Sequence, residues 1–88
     1  MLCDNIEDDQ CYYNLGAIYL EVKKDYRPAL EAFSKAIELN PNYLEAYFAR
    51  GFTYSRMNDV PSARADYNMC LKLQPNYELA IEGLNNLN

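Results

Sequence analysis

An internal repeat constrains this chain more than any other feature. The stretch Tyr26 to Tyr43 aligns with the stretch Val60 to Tyr77. Ala29 pairs with Ala63, Phe33 with Tyr67, Ala36 with Cys70, Leu39 with Leu73 and Pro41-Asn42-Tyr43 with Pro75-Asn76-Tyr77, each 34 residues apart. The preceding stretches align one step longer: Tyr12 with Tyr47, Gly16 with Gly51 and Tyr19 with Tyr54, all 35 apart. The first unit therefore carries one extra residue, expected in the internal turn Val22-Lys23-Lys24-Asp25. A unit of this length is one supersecondary element that cannot bury its apolar face alone, so consecutive units must stack.

Each half of a unit reads as a helix. Tyr12, Leu15, Gly16 and Tyr19 fall at i, i+3, i+4 and i+7, one helical face. Their counterparts are Tyr47, Arg50, Gly51 and Tyr54. In the second halves, the stripe through Ala29, Ala32, Phe33, Ala36 and Ile37 stops at Pro41, and that through Ala63, Tyr67, Cys70 and Leu71 stops at Pro75. Proline lacks the N–H that a continuing helix needs and clashes with the preceding turn. Asp25 and Asp59 stand where N-caps belong, and Pro28 and Pro61 lie within first turns, where a missing donor costs little. The spacing predicts helices over 9–22, 26–39, 44–56, 60–73 and 77–87. Gly16 and Gly51 would each cost about 1 kcal/mol against alanine in an isolated helix. They make sense where another helix comes close, and Ala29 and Ala63 are the expected opposing surfaces.

The pattern Tyr12-x2-Leu15-Gly16-x2-Tyr19, then Ala29-x3-Phe33-x2-Ala36 and Pro41, resembles the tetratricopeptide repeat. So does Tyr47-x2-Arg50-Gly51-x2-Tyr54, then Ala63-x3-Tyr67-x2-Cys70 and Pro75. The resemblance implies an all-α, right-handed superhelical solenoid of antiparallel helix hairpins in a single domain over 1–88. It divides into a lead-in (1–8), repeat 1 (9–43), repeat 2 (44–77) and a capping helix (78–88). Tyr12 and Tyr47 replace the family's frequent tryptophan, and Cys70 replaces an alanine. Arg50 stands where Leu15 stood, with its alkyl stem expected to pack and its guanidinium to reach water.

Composition narrows the function. The chain has 88 residues, half of them apolar, and a net charge of −5, with Lys23-Lys24 as its adjacent cations. Nucleic acid and anionic membrane surfaces, which want basic patches, are not expected partners. Cys3, Cys11 and Cys70 make an odd count without CxxC spacing, and no signal peptide is visible. A reduced, cytoplasmic compartment is the simpler reading. Without histidine there is no Ser–His or Cys–His arrangement, and no Gly-rich phosphate loop occurs, so neither catalysis nor a cofactor is expected. The run Asp4, Glu7, Asp8, Asp9 lacks calcium-loop spacing and reads as an acidic helix start rather than a metal site.

Subtracting the core slots and the turn-side Tyr26, Tyr43 and Tyr77 leaves Tyr13, Phe48 and Phe52. Phe48 and Phe52 are i, i+4 on one helix, and Tyr13 is 35 residues before Phe48. In the resembled family the first helices line a concave groove. That implies a peptide-binding face of Tyr13, Ala17, Glu21, Glu45, Phe48, Phe52 and Arg56, extended by Gln10, Leu20, Leu79 and Glu82. The expected function is recognition of a peptide segment of a partner protein, with the aromatics as anchors. The alternative is a self-associating structural repeat, such as a truncated or designed array, whose end faces stack on copies of itself. A well-known use of the family is a clamp for chaperone C-terminal carboxylates, built from Lys, Asn and Arg. Here the matching positions are Tyr13, Ala17, Ala49, Leu79 and Gly83, so that clamp is not expected.

Overall fold

The computed structural model describes residues 8–87. Among them the elements are α1 (Asp9–Ala17), a π-helical segment (Ile18–Lys23) that continues it, α2 (Tyr26–Leu39), α3 (Leu44–Arg56), α4 (Val60–Leu73) and α5 (Glu78–Asn86). The fold is all-α. Helices α1 and α2 form one hairpin, α3 and α4 the next, and α5 packs on α4. The thinnest extent of 17 Å leaves room for two helix layers about 8–10 Å apart.

Local chemistry sets the ends. The Asp8 carboxylate accepts from the Cys11 N–H at 3.0 Å and the Asp59 carboxylate from the Ser62 N–H at 3.3 Å, satisfying donors that the first turns leave open. Asp25 occupies the N-cap position of α2, but its side chain makes no capping hydrogen bond. Before each proline the last turn closes alike: Asn40 N–H donates to Ala36 C=O at 2.9 Å, and Gln74 N–H to Cys70 C=O at 2.8 Å. The same turn then places Tyr43 and Tyr77, whose N–H groups donate to Asn40 C=O and Gln74 C=O at 3.0 and 3.1 Å.

The extra residue of the first unit is not added to the loop. It is wound into the end of the first helix as the π segment Ile18–Lys23. The exit geometry survives: Asp25 N–H donates to Tyr19 C=O at 2.8 Å, as Asp59 N–H does to Tyr54 C=O at 2.9 Å. The left-handed residues Lys24 (φ 53°) and Asn58 (φ 64°) also correspond. A wider helical turn takes up one residue without displacing the next helix.

Two ring-centred cores hold the stack. Phe33 is fully buried with Ala29, Leu20 and Ala49, while Tyr67 is buried with Tyr47, Ala63, Cys70 and Ala80. The close approach at the glycines is to these rings rather than to Ala29 and Ala63. A Cβ on Gly16 would stand 2.6 Å from the Phe33 ring, and one on Gly83 would stand 2.7 Å from Tyr67. At Gly51 the tightest neighbours are Tyr67 ring atoms at 3.0 Å.

Arg50 also departs from expectation, because its guanidinium does not simply reach water. It donates from Nε and Nη2 to both Asp66 carboxylate oxygens at 2.8 Å and from Nη1 to Ser34 Oγ at 3.2 Å. With 7% of the Asp66 side chain exposed, this is a mostly desolvated, bidentate pair. It ties α3 to α4 within one hairpin and to α2 of the hairpin before. The Asp66 hydrogen bond pushes the Arg50 pKa upward against the cost of burial.

Candidate functional site

One aromatic contact is used twice along the chain. Tyr13 lies 5.8 Å from Phe33 and 5.3 Å from Tyr43, measured between ring centroids. Phe48, its counterpart, lies 5.7 Å from Tyr67 and 6.1 Å from Tyr77. Each first-helix aromatic thus rests on its own hairpin's core ring and turn tyrosine. Tyr13 and Phe48 are consequently half-buried and support the fold as well as the surface. Phe52 is different. It is 38% exposed, its ring stacks beside Phe48 at 6.4 Å, and the Arg56 guanidinium lies over it at 5.5 Å.

Phe52 and Arg56 together form a partition between two clefts. One, of about 540 Å³, is lined by Phe48, Phe52, Arg56, Tyr67, Leu79 and Glu82, among others. The other, of about 230 Å³, is lined by Leu20, Glu21, Lys24, Tyr26, Phe52 and Arg56. The structure therefore brings Phe48, Phe52 and Arg56 to one cleft with Leu79 and Glu82, and Glu21 and Leu20 to the neighbouring one. Ala17 is half-buried on α1, Gln10 is exposed at its start, and Leu20 is 7% exposed.

Glu45, in the first turn of α3, is exposed. Burial holds the Tyr13 hydroxyl above its ordinary pKa, and the charges of Glu45 and Glu21 add to this. Tyr77 is raised by burial and then by Glu45, and Tyr43 by burial and then by Asp9, Tyr13 and Glu45. The ion pairs among the described residues are Lys35–Glu38 and Arg50–Asp66, and Glu21, Glu45 and Glu82 belong to neither.

Neighbouring chemistry is spent on structure. Asp9 accepts from Asn40 Nδ2 at 3.0 Å, and Asp8 caps α1, while Asp4 and Glu7 lie outside the described residues. Cys70 is a free, buried thiol whose pKa burial pushes up to about 12, with Asp66 adding to it. Such a thiol is a packing group rather than a nucleophile. Cys11, read from the sequence as one of the reduced thiols, is disulfide-bonded; Cys3 lies outside the described residues. Tyr43 and Tyr77, turn residues in the sequence, also pack against Tyr13 and Phe48. Their signal was the identical Pro-Asn-Tyr at both positions.

Stacked hairpins with this repeat signature define a class of helical-repeat scaffold. The family description "TPR repeat" matches residues 23–58, and "Tetratricopeptide repeat" matches residues 44–77. This chain belongs to the tetratricopeptide repeat family, whose domains are protein-interaction modules. It is 41% identical over 64 residues to a UDP-N-acetylglucosamine–peptide N-acetylglucosaminyltransferase of Giardia intestinalis, a match spanning 73% of this chain and 4% of that protein. It is 35% identical over 69 residues to the Homo sapiens peptidyl-prolyl cis-trans isomerase FKBP4, spanning 78% of this chain and 15% of that protein. The chain thus corresponds to a small part of these curated relatives. A solved structure described as the first TPR of Spaghetti (RPAP3) bound to HSP90 peptide SRMEEVD matches with TM-score 0.90 and 25% identity, covering 94% of this chain and 65% of that one. Among the described residues no helix is long and apolar enough to cross a membrane.

Proposed function

We propose that the concave face of α1, α3 and the start of α5 receives a peptide segment of a partner protein. The observation that carries this reading is Phe52, a large ring left 38% exposed on the inner face between two clefts. Exposed aromatics of this kind supply contact area at little entropic cost and mark interaction sites. Tyr13 and Phe48 set the floor, Ala17 keeps it shallow at one end, and Glu21, Glu45 and Arg56 orient the ligand. The solved relative that holds a peptide supports the same use of this fold. No catalysis, cofactor or metal and no nucleic-acid or membrane partner enters this proposed function.

The ligand is not of the carboxylate-clamp type. Clamp positions are occupied by Tyr13, Ala17, Ala49, Leu79 and Gly83. Ala49 is 9% exposed, and Gly83 lies under the Tyr67 ring. None of these side chains can donate to a carboxylate except the Tyr13 hydroxyl, which lies among carboxylates. The peptide SRMEEVD is expected to show no saturable binding in a fluorescence anisotropy titration.

Selection from a displayed random-peptide library tests the main reading. Phe52→Ala is the variant of choice, because Tyr13 and Phe48 also support the core. Wild type is expected to enrich a motif that the folded variant loses. If wild type enriches nothing, the peptide-receptor reading is wrong. Self-association is the second reading, favoured by Leu79 and Ile81 on α5, which are 49% and 39% exposed. Light scattering across concentrations would then show a persistent oligomer that Ile81→Ser disperses.

A further inference from the structure

The inner face also has a charge character that selects among peptides. Its rings are flanked by the carboxylates of Glu21, Glu45 and Glu82, all exposed and in no ion pair among the described residues. The cations nearby lie at the Phe52 end of the face. Arg56 lies over the Phe52 ring at 5.5 Å, and Lys24 donates to the Glu21 carbonyl at 3.3 Å. Glu45 holds a particular place. It stands in the first turn of α3, two residues after Tyr43, which pairs with Tyr13 at 5.3 Å, and one turn before Phe48, which meets Tyr77 at 6.1 Å. A carboxylate beside several aromatic rings suits a guanidinium or an ammonium. The cation gains ion pairing at one side and the ring quadrupole at another. An acidic side chain there would instead meet like charge at Glu45.

Building on the peptide-groove reading, we propose that this face is specific for a peptide segment pairing a lysine or arginine with an apolar side chain. The cation lies beside Glu45 among Tyr13, Tyr43 and Tyr77, and the apolar group enters the cleft between Phe52 and α5. Glu45 and Phe52 are seven positions apart on α3, which is about 10 Å of helix and so about three residues of extended peptide. The ligand class is therefore a basic-apolar segment with the two groups about three residues apart.

The test uses three pools of fluorescein-labelled dodecapeptides. The pools carry the same apolar residue and differ in one position three residues away, which is Lys/Arg, Gln or Glu. Anisotropy is read on the folded 88-residue protein. The Lys/Arg pool should bind on the order of tenfold tighter than the Glu pool at about 0.1 M NaCl, and the margin should shrink at about 0.5 M. Glu45→Gln should cut that preference to less than about threefold while leaving the Gln pool bound. Glu31→Gln, the same charge change on the outer face, should leave the preference intact. If Glu31→Gln lowers it as much as Glu45→Gln does, the effect is bulk attraction by a chain of net charge −5 and the proposal fails. Equal or tighter binding of the Gln or Glu pools, still dependent on Phe52, overturns the charge selectivity and leaves the groove reading standing. No binding of any pool overturns both.

Discussion

Replacing Asp66 by alanine would strip the Arg50 guanidinium of two 2.8 Å hydrogen bonds while leaving it largely enclosed, with 22% of its side chain exposed. A partly buried charge that loses its partner is costly, so Asp66→Ala should destabilise the fold by about 1–3 kcal/mol in urea unfolding. The double change Arg50→Leu with Asp66→Ala restores what the first repeat carries at these positions, Leu15 and Ala32, and should recover most of the loss. Additive effects would mean that the pair is not coupled. The same alignment explains what was legible at this scale. Leucine becomes arginine in one column and alanine becomes aspartate in another, and together the two columns announce an ion pair. Reading Arg50 alone sends its charge to water. The equivalence of Tyr13 and Phe48 is likewise legible in the 35-residue offset. Their half-burial is not, because it depends on Tyr43 and Tyr77 folding back over them from the turns.

Helix boundaries were readable because backbone chemistry marks them. Pro41 and Pro75 lie just past the observed ends at Leu39 and Leu73, and Asp59 caps α4. The π segment was not readable, since the repeat offset shows only that one residue is added between Tyr19 and Asp25. Winding and looping satisfy that offset equally well. Deleting Val22, which is 75% exposed, would give the first unit the length of the second. The shortened chain should keep its helical circular dichroism and lie within about 1 kcal/mol of wild type, since both units share the same exit hydrogen bond. A larger loss would show that the π winding itself carries packing. The glycines divide by what their helices meet. Gly16→Ala and Gly83→Ala would push a Cβ to 2.6 and 2.7 Å from rings of the buried cores. The overpacking cost of about 1–3 kcal/mol should exceed the helix-propensity gain of about 1 kcal/mol, and both variants should unfold earlier. Gly51→Ala, with ring atoms at 3.0 Å, should fall closer to balance.

The whole molecule carries several protons that folding holds more tightly than the unfolded chain does. Burial raises the pKa of Tyr13, Tyr43, Tyr67 and Tyr77, and it moves Cys70 from 9.0 to about 12. Above about pH 9 the unfolded chain therefore binds fewer protons than the native one, and stability falls as pH rises. The stabilisation is complete below the ordinary values and is lost toward the folded-state ones. Urea midpoints should decline steadily between about pH 9 and 12, and Cys70→Ala should flatten the early part of that decline. A midpoint insensitive to pH over this window would contradict the burial of these groups.

The α1–α3 face, rather than the outer α2–α4 face, is expected to receive the ligand. Amide chemical-shift mapping of the 15N-labelled protein, titrated with a library-selected peptide, tests it most directly. Perturbations are expected to centre on Tyr13, Glu45, Phe48, Phe52 and Arg56 and on the start of α5 at Leu79 and Glu82. Shifts centred instead on the outer shallow cleft of Leu30, Glu31, Ser34, Lys35 and Glu38, with the inner face unmoved, would contradict it.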